Sequence, residues 1–145
     1  RVRSSLLLAC LLFAVSACGE DDAGAFIALD KACVAYAETL CAGRERCCDT
    51  PGRLADCETR VIDLCEPQRD ALTAESALRY DGESARRALD EIDLELDACE
   101  GAPPLSRLFE GGKRAGEACS AASECASYAC DGVCLDEVPA DLCTL

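Results

Sequence analysis

The chain contains no histidine and no tryptophan, and aromatic residues make up only 4% of its 145 positions. Without histidine it lacks the commonest general base, the usual activator of a serine or cysteine nucleophile, and the commonest metal ligand. It also lacks a Cys-x-x-Cys motif, the usual element of zinc sites and of redox-active dithiols. The sequence therefore predicts no catalytic residue, no cofactor and no metal, and it predicts that the protein is not an enzyme.

Basic residues are also scarce: 28 Asp and Glu stand against 14 Lys and Arg, which gives a net charge of −14. Because Arg1 and Arg3 lie in the first 17 residues, which hold no acid, the remainder carries −16. Such a charge opposes binding to nucleic acid or to a bare anionic membrane. With nucleic acid disfavoured, the macromolecular partner that the composition still allows is a protein, whose identity the sequence does not give.

The N-terminus has the pattern of a signal peptide. Residues 1–17 combine a basic start, a short apolar run and small residues before Cys18, and the run is too short for a permanent transmembrane helix. Residues 15–18, Val-Ser-Ala-Cys, resemble the lipobox of bacterial lipoproteins. This resemblance implies that Cys18 carries lipid, with the membrane as a partner through that anchor. The alternative is an ordinary secretory signal with Cys18 in a disulfide.

Residues 18–25 then form an acidic, flexible tether. Gly19 directly after the anchor resembles lipoproteins passed to the bacterial outer membrane, where they lie on its periplasmic face or at the cell surface.

What is abundant is cysteine, with 14 residues, a composition typical of disulfide scaffolds in oxidising compartments. If Cys10 leaves with the signal peptide and Cys18 is lipidated, an even number remains for six disulfides. These twelve are Cys33, Cys41, Cys47, Cys48, Cys57, Cys65, Cys99, Cys119, Cys125, Cys130, Cys134 and Cys143.

Apolar residues recur at helical spacing in three segments. The first spans residues 26–41 and is predicted to end at Gly43. The second follows the cap-like Thr50-Pro51 and is predicted to stop at Pro67. The third covers residues 84–100. Acidic and apolar residues alternate there at 91–97, which is a strand-like period, but the acidic residues and the longer window favour a helix that leaves Leu94 off its apolar face.

Each of the first two helices carries two cysteines eight residues apart, so both sulfurs can face one neighbour. In an antiparallel hairpin this spacing predicts Cys33–Cys65 with Cys41–Cys57.

Residues 119–134, here called the C-terminal knot, hold four cysteines in a segment too small to bury a core. Alternating pairs, Cys119–Cys130 and Cys125–Cys134, are the usual solution for such a short knot.

Adjacent cysteines rarely bond to each other, because the ring would be strained. One of Cys47 and Cys48 is therefore expected to pair with Cys99 and the other with Cys143, and the sequence does not decide which.

The cysteine pattern resembles a group of cysteine-rich bacterial lipoproteins of unassigned function. The residues that carry this resemblance are the cysteines from Cys33 to Cys99, Tyr80-Asp81, and the run from Leu108 through Gly111 to the C-terminal knot. Residues 116–134 separately resemble the N-terminal cysteine-rich knot of Dickkopf-type secreted proteins. The first resemblance implies an envelope lipoprotein and names no activity.

The sequence thus predicts a mainly α fold: a small disulfide-rich three-helix domain at 26–103, followed at 104–145 by a knot-like tail with little regular structure. Its expected role is non-catalytic binding or envelope structure. The alternatives are an envelope enzyme or enzyme accessory that uses carboxylates, and a secreted inhibitor-like cysteine-rich protein.

Overall fold

A computed structural model describes residues 26–48, 54–74, 78–136 and 140–144. The predicted signal peptide, Cys18, the tether up to residue 25 and the Thr50-Pro51 cap lie outside the described residues. Three helices dominate: α1 (Ala32–Cys47), α2 (Leu54–Ala74) and α3 (Gly82–Leu96). Strands β1 (Leu78–Tyr80) and β2 (Phe109–Gly111) pair antiparallel, and the described residues of the cysteine-rich region after β2 contain short 3-10 turns and isolated β-bridges. The predicted mainly helical, disulfide-rich fold is confirmed.

Helices α1 and α2 form a hairpin with a sulfur ladder between them. Cys33 bonds Cys65 and Cys41 bonds Cys57, with Cα–Cα separations of 5.7 and 6.0 Å, and all four residues are buried. These are the pairs expected from the eight-residue spacing. Both bonds lie on the face of each helix that enters the core, so the cross-links and the apolar stripe share one seam.

The prediction that α1 ends at Gly43 is wrong. The helix runs four residues further, to Cys47, and Gly43 is buried against α3. A Cβ atom at this position would lie 2.7 Å from Leu96 Cδ1 and 2.9 Å from Leu96 Cβ. Gly43 therefore permits a close helix–helix approach within a continuous helix, and it does not act as a C-terminal cap.

Pro67 also fails to stop its helix, since α2 continues for seven residues to Ala74. A proline in a helix interior costs about 3 kcal/mol, because it removes one backbone hydrogen bond. Pro67 lies on the exposed face, whereas Leu72, beyond it, is fully buried on the core side. Burial of Leu72 gains about 1.5–3 kcal/mol, and the buried Cys65 bond already fixes the preceding turn.

Helix α3 is shifted towards the N-terminus relative to its prediction. It begins at Gly82 because the Asp81 carboxylate accepts a 2.8 Å hydrogen bond from the Ser84 backbone N–H, a bond that lowers the pKa of Asp81. It ends at Leu96, and a turn carries the chain to Cys99, whose φ of 59° is left-handed. The strand-like run at 91–97 is helical as far as Leu96, which confirms the expected helix. Leu94 lies off the buried face, as predicted, with 72% of its surface exposed.

The chain before α1 is extended or 3-10, so the prediction that residues 26–31 belong to the helix is wrong. Phe26, expected on the buried face, is 61% exposed. The Ile27 N–H donates to the Gly82 carbonyl (3.2 Å), and the Tyr80 hydroxyl donates to the Ile27 carbonyl (2.9 Å). Burial of Tyr80, chiefly, raises its pKa to about 12, and its ring meets Phe109 edge-on at 5.4 Å.

The C-terminal region enters the same core as the helices. Leu105, Leu108, Phe109 and Leu142 are buried in one cluster with the apolar faces of all three helices. Strand β2 pairs with β1 although α3 lies between them in the sequence, and Tyr80 is opposite Phe109. This small sheet was not predicted from the sequence, since each strand has only three residues.

Replacement of Gly43 by Ala is expected to lower the free energy of unfolding by about 1–2 kcal/mol. Alanine gains about 1 kcal/mol in helix propensity. A Cβ atom only 2.9 Å from Leu96 Cβ cannot be relieved by a rotamer change, so overpacking costs about 2–3 kcal/mol, the upper part of its usual range. Thermal or denaturant unfolding measures the change. The matched control is Glu38→Ala at an exposed position of the same helix. Equal stability of Gly43→Ala and wild type would contradict the close approach of α1 and α3.

Candidate functional site

Two long-range disulfides tie the end of α1 to the C-terminal half of the chain. Cys47 bonds Cys99, just beyond α3, and Cys48 bonds Cys143, with Cα–Cα distances of 5.5 and 5.7 Å. The structure thus decides which of the two adjacent cysteines takes which partner. The Cys48–Cys143 bond spans 95 residues of sequence, the longest separation among the six. It brings residues 140–144 against the helices.

The C-terminal knot contains the alternating pairs Cys119–Cys130 and Cys125–Cys134. Backbone contacts supplement them: Ala118 forms a bridge with Val133, and the Gly116 N–H donates to the Cys134 carbonyl at 2.7 Å. The eight hairpin and knot cysteines are therefore paired in the way that their spacing suggested, and Cys47, Cys48, Cys99 and Cys143 form the other two bonds.

Glu124 holds the start of the knot in place. Its carboxylate accepts hydrogen bonds from the Lys113 ammonium and the Ser120 hydroxyl, and these two contacts hold its pKa at about 2. The Lys113 N–H also donates to the Glu124 backbone carbonyl at 2.7 Å. Both charged groups are engaged with neighbours of their own segment, so this pair has a structural role.

A groove of about 290 Å³ lies between the helix hairpin and the C-terminal region. Leu40 and Val61 come from the two helices, and Leu105 faces them from the C-terminal side. The full lining comprises Tyr36, Leu40, Val61, Leu64, Cys65, Gln68, Ala102, Pro103, Pro104, Leu105, Ser127, Tyr128, Ala129 and Ala140.

Hydrogen bonds fix the walls of this groove. The Tyr36 hydroxyl donates to the Pro103 carbonyl at 2.6 Å, and Ala102 and Ala140 exchange two backbone hydrogen bonds of 2.7 and 3.0 Å. The Ser106 hydroxyl donates to the Ala126 carbonyl at 2.5 Å, which attaches the knot to the rest of the wall. The groove is therefore built into the fold.

Among the described residues, none of those that line the groove carries a charge, although charged residues make up 29% of the chain. The polar groups of this lining are the amide of Gln68 and the hydroxyls of Tyr36, Ser127 and Tyr128. The described lining thus offers no carboxylate, lysine or arginine for acid–base or electrostatic catalysis. It suits desolvation of an uncharged group.

The acidic residues of α3 are distributed among arginine partners. Arg46 binds Asp93 at 2.7 Å and Asp97 at 3.1 Å, while Arg107 binds Glu95 at 2.5 and 2.9 Å. The bond with Arg107 lowers the pKa of Glu95. Among the described residues no three carboxylates gather closely enough to hold one metal ion.

The one close group of metal-ligating atom types within the described ranges is made of sulfurs. The Sγ atoms of Cys119, Cys125 and Cys130 all lie within 4.8 Å of one another. Each of these sulfurs is already in a disulfide, a form in which it is not a thiolate ligand.

The lipidation site predicted at Cys18 lies outside the described residues and stays a prediction. Sequence reasoning missed the groove, because it joins segments that are distant in sequence. Leu64 fits the helical spacing of α2, yet it lines the groove with 57% of its surface exposed.

The chain matches no protein-family model, and neither the curated proteins nor the solved structures yield a match to it. In the part of the chain that the structure describes, no helix has the length and apolar character needed to cross a bilayer. The six disulfides indicate an oxidising, extracytoplasmic setting. The resemblance to cysteine-rich bacterial lipoproteins stays a prediction.

Proposed function

We propose that this protein is a non-catalytic, lipid-anchored cell-envelope protein that binds a small, neutral, largely apolar molecule in the groove beside the C-terminal knot. The observation that carries the proposal is a groove whose described lining residues are all uncharged, in a strongly acidic chain. The anchor is Cys18, and the outer membrane is the expected location.

The size and chemistry of the groove support this class of ligand. A volume of about 290 Å³ is at the lower end of the range for small-molecule sites, about 300–1,000 Å³. A charged ligand group would lose its water without meeting an opposite charge, and such a loss costs several kcal/mol. A neutral molecule avoids this penalty and gains from contact with Leu40, Val61 and Leu105.

The anchor has a direct chemical test. Mass spectrometry of the N-terminal peptide of membrane-extracted protein is expected to find Cys18 as the first residue, with a diacylglyceryl thioether and an acylated amino group. A Cys18→Ser chain is expected in the soluble envelope fraction, because several acyl chains are needed for stable anchoring. An unmodified Cys18 in the exported protein would overturn the lipoprotein assignment.

Groove binding is tested with two dyes that share one aromatic body. Neutral N-phenyl-1-naphthylamine is expected to bind the Cys18→Ser chain at one site, whereas its sulfonated, anionic analogue binds far more weakly. Leu64→Asp is expected to weaken binding of the neutral dye by about tenfold or more, because a carboxylate at the rim adds an unpaired charge to the groove. A tenfold change in the dissociation constant corresponds to only about 1.4 kcal/mol. Fluorescence titration measures both dissociation constants.

The matched control for this titration is Leu94→Asp, which places the same charge on an exposed leucine of α3 outside the groove lining. It is expected to bind the neutral dye as wild type does. Equal weakening by both variants, or tighter binding of the anionic dye, would contradict the assignment of the groove. These titrations do not involve the anchor, so either half of the proposal can fail separately.

A further inference from the structure

The two disulfides of the C-terminal knot lie close to each other. Cys125 Sγ lies within 4.8 Å of both sulfurs of the Cys119–Cys130 bond. Cys130 and Cys134 are also directly opposite each other in an antiparallel bridge. Opposite residues in such a bridge have Cβ atoms about 4.5–5.5 Å apart, near the roughly 3.5–4.5 Å of a disulfide. The same backbone therefore accommodates a second pairing, Cys119–Cys125 with Cys130–Cys134.

The two observed bonds differ in access to solvent. Cys119 and Cys130 are partly exposed, whereas Cys125 and Cys134 are buried, with exposed fractions of 0% and 1%. Thiol–disulfide exchange requires that a thiolate reach a disulfide sulfur. An external thiolate can thus reach the Cys119–Cys130 bond and not its neighbour.

We infer that the Cys119–Cys130 disulfide is a site of attack by an external thiol, such as that of a thiol–disulfide oxidoreductase or of a small thiol, and that the attack switches the knot to its second pairing. The thiolate attacks Cys130 Sγ, forms a mixed disulfide and releases the Cys119 thiolate. The Cys119 thiolate attacks Cys125 Sγ, which lies within 4.8 Å, forms Cys119–Cys125 and releases the Cys134 thiolate. The Cys134 thiolate attacks Cys130 Sγ, its partner in the antiparallel bridge, forms Cys130–Cys134 and expels the external thiolate. Two disulfides are present before and after, and the external thiol is regenerated without net oxidation or reduction.

The segment between the exchanging cysteines has features that weaken its preference for the observed pairing. Tyr128 has a left-handed backbone with φ of 55°, which is unfavourable for a bulky side chain. The Ser127 hydroxyl is buried without a hydrogen-bond partner among the described residues, which also costs free energy. Ser127, Tyr128 and Ala129 line the groove, so re-pairing changes the shape of the groove. The exchange depends on neither the lipid anchor nor a groove ligand.

The test uses the full chain with Cys10→Ser and Cys18→Ser, so that the only cysteines are the twelve in the described disulfides. Reduced glutathione is raised until the Cys119–Cys130 bond reacts, the reaction is quenched with acid, and free thiols are alkylated. Cleavage after Glu124, after Tyr128 and before Asp131 places each knot cysteine on a separate peptide. Mass spectrometry of the unreduced digest then identifies every pair.

The expected result is a glutathione adduct on Cys119 or Cys130, loss of the native knot pairs, and new peptides linked as Cys119–Cys125 and Cys130–Cys134. The core pairs Cys33–Cys65 and Cys41–Cys57, which serve as internal references, should be unchanged. An adduct without the new pairs would overturn the exchange. Cys99 and Cys143 are also exposed, so their two disulfides can react alongside the knot. Reaction of either core pair before the Cys119–Cys130 bond would overturn the site of attack.

A Cys119→Ser/Cys130→Ser chain provides a second test. It keeps the buried Cys125–Cys134 bond, which is expected to resist the glutathione concentration that re-pairs the wild-type knot. Equally rapid reaction of Cys125–Cys134 in this chain would show that the knot does not need its exposed bond, and would contradict the inference. Because the wild-type peptide map does not depend on this variant, a misfolded variant leaves the first test intact.

Discussion

The fold depends on covalent closure of a chain whose noncovalent core is small. With few aromatic residues and a net charge of −14, burial of aliphatic side chains must compete with both conformational entropy and charge repulsion. Each disulfide contributes about 2–4 kcal/mol, in the common account by restricting the unfolded chain. The ladder of Cys33–Cys65 and Cys41–Cys57 fixes the facing sides of α1 and α2. Helix α3 can then pack closely against α1 at Gly43, because a side-chain carbon at that position would lie only 2.7 Å from Leu96 Cδ1.

The groove follows from the two remaining long-range bonds. Cys47–Cys99 and Cys48–Cys143 draw the C-terminal region back across the helix hairpin, and the Tyr36–Pro103 hydrogen bond seats it there. None of the described charged residues is fully buried, and many form arginine–carboxylate pairs that are individually weak. The uncharged lining thus arises where two covalently joined segments meet, and the knot supplies one wall of the groove.

Much of this fold was predictable from the sequence, because cysteine spacing encodes geometry directly. On a helix, a step of eight residues brings a side chain back towards the same side. The eight-residue cysteine spacing in each of the two helices was therefore enough to predict the hairpin pairs. Local signals failed where tertiary contacts overrode them. Gly43 and Pro67 are usual helix terminators, yet close packing explains the first, and burial of Leu72 together with the Cys33–Cys65 bond offsets the cost of the second. The groove and the β1–β2 pair were not predictable, since both join segments distant in sequence and leave no periodic pattern.

The central claim is that six specific disulfides define this fold, with adjacent Cys47 and Cys48 bonded to different segments. Peptide mapping of the unreduced protein, purified from an oxidising compartment with thiols blocked at lysis, tests it most directly. The account predicts no free thiol among the twelve cysteines, with Cys47 linked to Cys99 and Cys48 linked to Cys143. A free thiol at either position, or a Cys47–Cys48 bond, would contradict it, because the C-terminal region would then lack its covalent attachment to α1.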